Sequence, residues 1–188
     1  EQLDALKEED ILVLAGSIPN TLPSDIYERI LEHLQGRGIH FVVDATKDLL
    51  LKVLKYHPFL IKPNNHELGE MFGVTLKTRD EIVAYAKKLQ EMGAENVLVS
   101  MAGDGAILLT EEGVIYEAKP PKGKVLNSVG AGDSMVAGFL TGYLNTGDYE
   151  KAFRLGVVTG SATAFQYWLA TKEDIVALME DKPETYGL

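Results

Sequence analysis

The chain contains no cysteine, which excludes disulfide bonds, thiol nucleophiles and thiolate metal ligands. The same absence fits a reducing compartment, and we expect a cytoplasmic protein. No apolar run approaches the length needed to cross a bilayer, and the acidic residues 1–4 lack a signal-peptide pattern. Positive charge is also scarce, since 18 Lys and Arg oppose 28 Asp and Glu for a formal net charge of −10. That balance argues against nonspecific binding to nucleic acid or to an anionic membrane.

Two familiar nucleotide-binding motifs are missing. The pattern G-x-x-x-x-G-K-[ST] does not occur, and Met135 stands where G-x-G-x-x-G needs its last glycine. Neither a P-loop NTPase nor a Rossmann dehydrogenase is supported. A zinc protease motif is absent as well, because Glu70 occupies the place of the second histidine after His66-Glu67.

Apolar runs alternate with helical periodicity along the 188 residues, which predicts one α/β domain with a mainly parallel sheet. The predicted strands are Ile11–Ala15, 39–44, 58–62 and 96–101, followed by a hairpin of Ala106–Leu109 and 114–117. Four helices are predicted in this part of the chain. One follows residues 23–25, one spans 49–56, one begins at Thr78 with a Thr78/Glu81 capping box, and one spans 134–145.

Two further helices are predicted near the end of the chain. Asp148 is expected to cap a long helix that reaches about Trp168, and Thr171 to cap a last helix. Phe165, Tyr167 and Trp168 at the end of the long helix are expected in the core or in the wall of a nucleotide pocket.

The most informative segment is residues 127–134, Asn-Ser-Val-Gly-Ala-Gly-Asp-Ser, where a loop of small residues enters an amphipathic helix. First-turn amides lack intrahelical acceptors, and Gly130 and Gly132 leave them open to a ligand. The segment predicts an anion site suited to a phosphoryl group in transfer. Asp133 at its mouth is a candidate general base. The alternative interpretation makes Asp133 an ordinary N-cap and the glycines a plain turn.

Asn64 and Glu67 follow the third predicted strand, where open α/β sheets bind ligands. Their three-residue spacing lets both side chains face one way, and their oxygens suit a hydrated Mg²⁺. The alternative interpretation is a helix cap at Asn64 that Glu67 supports.

Two more loops follow strands at the same expected sheet edge. Residues 100–105 contain small residues that permit close approach by a nucleotide, or else form a plain turn. Ser17 after the first strand suits either a phosphate contact or a chain reversal. Together these loops predict phosphate donors, a metal-tuning pair and a base at one edge of one sheet.

These residues resemble the sugar-kinase family that includes ribokinase and the minor phosphofructokinases. Residues 127–134 are similar to the family's C-terminal signature, and Asn64-x-x-Glu67 to its magnesium and phosphate motif. Residues 15–19 and 160–162 also resemble family segments. One departure is Ala102, where the family usually has glycine.

The resemblance implies a three-layer ribokinase-like α/β fold and ATP-dependent transfer to a sugar-phosphate hydroxyl, with Mg²⁺ as cofactor. It implies that Asp133 is the base and contacts the sugar phosphate together with Ser17. The anion hole would be Gly130, Ala131 and Gly132, and Asn64 and Glu67 would hold Mg²⁺ through water. A monovalent cation such as K⁺ would meet the Asn127 and Val129 carbonyls. The implied ATP-binding residues are Lys62, Asn64, Ser100, Ala102, Gly103, Asp104, Gly105 and Ser161.

Fructose 1-phosphate is the leading expected acceptor, with fructose 1,6-bisphosphate and ADP as products. Tagatose 6-phosphate or fructose 6-phosphate is an alternative acceptor, and a noncatalytic nucleotide-binding module is the alternative from another class. The chain is expected to be the C-terminal part, residues 1–188, of a longer family domain, with the N-terminal strands and β-lid missing. Such a part is expected to turn over sugar phosphate poorly, and the full-length protein to form a homodimer.

Overall fold

Six strands appear in the computed structural model, which describes residues 1–188. They are β1 (Ile11–Ala15), β2 (His40–Asp44), β3 (Leu60–Ile61), β4 (Asn96–Ser100), β5 (Ala106–Leu109) and β6 (Ile115–Ala118). The sheet order follows the chain, β1-β2-β3-β4-β5-β6. The first four strands pair in parallel, and Ala15 lies opposite Asp44 where β1 and β2 end. The predicted mainly parallel α/β sheet is confirmed.

Seven α-helices accompany the strands. They are α1 (Ile26–Leu34), α2 (Lys47–Val53), α3 (Asn65–Met71), α4 (Arg79–Glu91), α5 (Ala131–Thr146), α6 (Tyr149–Ala164) and α7 (Lys172–Val176). Short 3-10 turns cover Leu3–Ala5, Leu54–Tyr56, Ala102–Asp104 and Pro183–Tyr186. None of the helices has the length and apolar character needed to span a bilayer.

The chain divides by its internal contacts into two compact units. The first comprises Glu1–Val99 and Leu109–Val114, and the second Ser100–Leu108 and Ile115–Leu188. In the first unit, the successive residues Phe41, Val42 and Val43 of β2 are all buried. Because neighbouring side chains on a strand point to opposite faces, the sheet is covered on both faces at β2, whereas Val13 of the edge strand β1 is 42% exposed.

The second unit is built around the contact of α5 with α6. Two glycines on each helix, four residues apart, line this contact: Gly138, Gly142, Gly156 and Gly160. A Cβ atom added at Gly142 would lie 2.7 Å from Ala152 Cα, and one at Gly160 would lie 2.9 Å from Ala131 O. Side chains larger than hydrogen therefore do not fit, and the glycines set how closely the two helices approach.

Most predicted helix starts are confirmed. The Thr78/Glu81 capping box forms, Asp148 accepts a hydrogen bond from Lys151 N–H, and Thr171 caps α7. Several boundaries differ. The third strand contains only Leu60–Ile61, the helix predicted for 49–56 begins at Lys47 and tightens into a 3-10 turn after Val53, and the helix predicted for 134–145 begins at Ala131; the other strand ends differ by one residue.

The prediction for the end of α6 is wrong. The helix stops at Ala164 rather than near Trp168, and the chain turns so that Ala170 N–H donates to Thr163 Oγ1. Tyr167 and Trp168 consequently stand 72% and 86% exposed. They do not belong to the core.

Candidate active site

A buried ion pair lies at the carboxyl edge of the parallel strands of the first unit. Lys62, directly after β3, places its Nζ 3.1 Å from Oδ2 of Asp44, the last residue of β2. The Lys62 side chain is only 8% exposed and that of Asp44 is 18% exposed. Burial of a charge is costly unless it is paired, so this arrangement fixes the lysine at the sheet edge. Lys62 is one of the residues predicted for the site, whereas Asp44 is not, because its role depends on the lysine that the fold brings beside it.

Tyr27 of α1 shapes the loop after β1. Its hydroxyl lies 2.8 Å from Ala15 O and 3.1 Å from Gly16 O, to which it donates. Burial raises the pKa of the Tyr27 hydroxyl, and the Asp44 carboxylate raises it further, so the phenol keeps its proton. Ser17 follows directly and is exposed. The residue that anchors this loop lies ten positions beyond Ser17, a distance at which no local pattern indicates the contact.

Asn64 and Glu67 form a reciprocal pair at the start of α3. Asn64 Oδ1 accepts from Glu67 N–H at 2.8 Å, and Glu67 Oε2 accepts from Asn64 N–H at 2.8 Å. The capping interpretation is therefore confirmed. Both residues are half-buried at the end of β3, where the capping box holds the two side chains in fixed positions. Direct metal ligation by both capping oxygens would break these bonds, whereas contact through water would leave them intact.

In the second unit, the loop that enters α5 turns at Gly130. Gly130 is the N-cap residue with φ +80° and ψ −6°, a left-handed conformation that favours glycine. Asp133 is the third helical residue and is exposed, so the interpretation of Asp133 as the N-cap is wrong. The N–H groups of Gly132 and Asp133 belong to the first turn, where helix geometry provides no acceptor and the dipole adds positive potential.

Backbone and amide hydrogen bonds define the shape of this loop. Ala131 N–H donates to Ser128 O at 3.2 Å, and Ser134 N–H to Gly130 O at 2.9 Å. Asn127 Oδ1 accepts from Val129 N–H at 3.1 Å. The loop is therefore ordered by its own polar groups. Ala131 N–H is used within the loop, so only part of the predicted anion hole, the amides beyond Ala131, is left for a ligand.

The small-residue loop after β4 is a tight turn. Met101 N–H donates to Gly105 O at 2.8 Å, and residues 102–104 are exposed. Gly105 is required because a Cβ there would collide with Ala118 O. Ala102 has a φ of +48°, in the left-handed region where an alanine is strained. The departure from glycine noted at this position thus falls on a backbone conformation that glycine would adopt more readily.

Ser161, the remaining residue expected near nucleotide, lies half-buried on α6. Its hydroxyl donates to Val157 O of its own helix at 2.7 Å. The neighbouring Gly160 lets α6 approach the first turn of α5, since a Cβ there would press on Ala131 O. Residues 160–162 therefore pack against the first turn of α5, next to the loop that contains Gly130.

Comparisons with known proteins identify the family and the fold. The sequence model of the pfkB family carbohydrate kinases matches residues 1–174. The chain belongs to this family of carbohydrate kinases. The 1-phosphofructokinase of Bacillus subtilis is 55% identical over 181 residues, which are 96% of this chain and 59% of that protein.

Solved structures show the same fold. Phosphofructokinase-2 from Escherichia coli in complex with potassium has a TM-score of 0.86 at 28% identity, covering 94% of this chain and 58% of that one. Arabidopsis thaliana ribokinase, complexed with ribose and ATP, has a TM-score of 0.77 at 19% identity, covering 92% and 56%. The ribokinase-like fold is thereby confirmed. The chain spans less than two thirds of the length of the relatives it matches.

Proposed function

We propose that the natural protein carrying this chain is an ATP-dependent 1-phosphofructokinase, which converts fructose 1-phosphate and ATP to fructose 1,6-bisphosphate and ADP. The observation that carries the proposal is the loop at Gly130, which opens α5 with an exposed Asp133 in its first turn. The 55% identity to the B. subtilis 1-phosphofructokinase supports fructose 1-phosphate as the acceptor.

Asp133 is the proposed general base. Its carboxylate accepts the proton of the sugar hydroxyl as that oxygen attacks the γ-phosphorus, and the bond from the γ-phosphorus to the bridging oxygen breaks to release ADP. The proposed anion hole is the backbone of Gly130, Ala131 and Gly132; because Ala131 N–H donates to Ser128 O within the loop, the Gly132 N–H is the first-turn amide proposed to face the charge that develops on the transferred group. Such a reaction depends mostly on position and charge stabilisation, which a preorganised helix terminus supplies.

Magnesium, when bound with ATP, would neutralise phosphate charge. The donor set of this chain fits such an ion: Asn64 and Glu67 offer oxygens, and Mg²⁺ usually keeps several waters and needs few protein ligands. We assign these two residues to the water shell of the ion. Lys62, held by Asp44, is assigned to the phosphates as a fixed positive charge.

The remaining proposed contacts follow from the resemblance. Ser17 meets the sugar phosphate, and the Asn127 and Val129 carbonyls meet a monovalent cation; the E. coli relative solved with potassium supports K⁺. The proposed nucleotide contacts of the second unit are Ser100, Ala102, Gly103, Asp104, Gly105 and Ser161. Residues 1–188 are proposed as the C-terminal part of one ribokinase-like domain, in a cytoplasmic protein that forms a homodimer.

The test measures ADP release by the natural protein with fructose 1-phosphate, fructose 6-phosphate and tagatose 6-phosphate in parallel. We expect kcat/KM for fructose 1-phosphate to exceed the others by at least about 10-fold, a preference of about 1.4 kcal/mol. A preference for another acceptor would reassign the substrate. ATP binding without turnover of any acceptor would favour the noncatalytic module.

A further inference from the structure

Thr163 joins two segments of the second unit through a single hydroxyl group. The hydroxyl donates to Ser134 Oγ at 2.9 Å and accepts from Ala170 N–H at 3.2 Å. Thr163 lies near the end of α6 and is 1% exposed, and Ser134 is the residue after Asp133 in the first turn of α5. One buried oxygen thus links the helix turn that carries Asp133 to the chain that leaves α6.

The segment that leaves α6, residues 165–170, is called the strap below. It and the last residue of α6 contact the loop before α5 at further points. Leu126 N–H and Asn127 N–H both donate to Ala164 O, at 2.9 and 3.2 Å. Asn127 Nδ2 donates to Tyr167 O at 3.2 Å. A Cβ atom at Gly130 would lie 2.7 Å from Leu169 Cδ2, so the strap also packs on the turn itself.

These contacts differ in what they hold. The bonds to Ala164 O and Tyr167 O fix the loop ahead of the turn, whereas only the Thr163 bond in this set reaches a side chain of the helical turn that contains Asp133. Since a hydroxyl can donate once and accept twice, Thr163 is suited to serve both partners together. Its burial strengthens both bonds and makes the loss of either partner costly.

We propose that Thr163 is a positioning residue, whose hydroxyl sets the placement of the first turn of α5, and with it Asp133, by tying Ser134 to the strap. This inference rests on the proposed kinase function for its catalytic consequence, but its structural content stands on the hydrogen bonds alone. Thr163 touches no reacting atom in this account. Its effect passes through the position of Asp133, and small displacements of a base reduce rate more than they reduce substrate binding.

The first experiment compares three variants of the natural protein in steady-state kinetics. Thr163→Val removes the hydroxyl at nearly constant shape, and Thr163→Ser restores it. Thr159→Val is the matched control, because Thr159 is a buried threonine one turn earlier on α6 that faces Gly138 rather than the first turn of α5.

We expect Thr163→Val to lower kcat by roughly 10- to 100-fold with KM values within about 3-fold of wild type. Thr163→Ser should keep kcat within about 3-fold, and Thr159→Val within about 2-fold. Equal losses in Thr163→Val and Thr159→Val, or an unchanged kcat in Thr163→Val, would overturn the proposal. If Thr163→Val does not fold, Ser134→Ala removes the acceptor alone and carries the same expectation.

The second experiment needs no turnover and separates this inference from the kinase proposal. Amide hydrogen exchange at Ala131 and Ser134, whose N–H groups are hydrogen-bonded within this turn, should accelerate by at least about 5-fold in Thr163→Val and not in Thr159→Val. Trp168 lies in the strap and is 86% exposed, so the part of the fluorescence that a Trp168→Phe variant of the natural protein loses reports the environment of the strap. A wild-type protein without kinase activity would defeat the proposed function only. Exchange and fluorescence that respond equally to both variants would defeat the positioning role.

Discussion

The glycine-lined contact of α5 with α6 predicts that two Gly→Ala substitutions will destabilise the protein although alanine is the better helix former. Gly142→Ala brings a methyl group to 2.7 Å from Ala152 Cα and 3.2 Å from its nitrogen. Gly160→Ala brings one to 2.9 Å from Ala131 O. The obstructing atoms are backbone atoms of the facing helix, so no side-chain rotation relieves the overlap.

The net change in the free energy of unfolding follows from two opposing contributions. Alanine gains about 1 kcal/mol over glycine in a helix interior, while overpacking a close helix contact costs about 1–3 kcal/mol. Relief of the overlap requires the helices to separate, which loosens neighbouring contacts, so we expect the upper half of that range. The net loss is then about 1–2 kcal/mol, or a fall in Tm of about 2–8 °C for a protein of this size.

Differential scanning calorimetry and urea denaturation of both variants provide the measurement. Ala137→Gly, at an exposed position of α5, is the control that measures the intrinsic preference alone and should cost about 1 kcal/mol. The two variants should also differ in activity. Gly160→Ala displaces the first turn of α5 and should lower kcat, whereas Gly142→Ala, about three turns away, should not. A rise in stability for either variant would refute the close approach of the two helices.

Three further predictions concern other parts of the chain. Lys62→Met should lower the free energy of unfolding by about 1–3 kcal/mol in urea titrations, because it removes the Lys62 cation from the half-buried Asp44 carboxylate; a loss below about 0.5 kcal/mol would contradict this. Ala102→Gly should raise stability by about 0.5–1 kcal/mol, since relief of the left-handed strain exceeds the entropy cost of glycine; a loss of stability would contradict the φ of +48°. Burial, and then the Glu111 carboxylate, raise the pKa of Glu95 above its ordinary value of 4.5. The folded state therefore binds this proton more tightly, and stability falls as pH rises from 4.5 through the raised pKa. Glu95→Gln should raise Tm at pH 7 and leave it unchanged below about pH 4, and a difference that does not vary with pH would contradict the assignment.

Local patterns predicted those features of the fold that local forces determine. The continuous apolar run Ile11–Ala15 is a strand with the predicted bounds, and the Thr78/Glu81 spacing forms the predicted capping box. Strand formation and capping depend on residues within a few positions of each other, so a single sequence contains the information. The burial of β1 is not local in this sense, and Val13 is 42% exposed.

The end of α6 could not be predicted in this way. No glycine or proline follows Ala164 before Thr171, so the sequence has no stop signal there. The helix ends because the Thr163 hydroxyl and the loop before α5 provide hydrogen-bond partners for the reversing chain. Those partners lie up to 38 positions away along the chain, between Leu126 and Ala164.

The residues of the candidate site also fall into those that a local motif predicts and those that only the fold brings together. Asp133, Asn64 and Glu67 were found because each belongs to a short motif at a strand or helix end. Asp44 was missed because its significance comes from a lysine 18 positions later, directly after the neighbouring strand, which only the pairing of β2 with β3 brings within 3.1 Å. Tyr27 was missed because the carbonyls that it binds, those of Ala15 and Gly16, lie 12 and 11 positions earlier in the chain.

The catalytic role proposed for Asp133 can be tested with Asp133→Asn in the natural protein. The amide has the same shape but cannot accept the hydroxyl proton, so kcat with fructose 1-phosphate should fall by at least about 10³-fold. The Kd for ATP, measured by calorimetry on the same samples, should stay within about 3-fold of wild type. Activity of the variant within about 10-fold of wild type would contradict the account and leave Asp133 as an ordinary first-turn carboxylate.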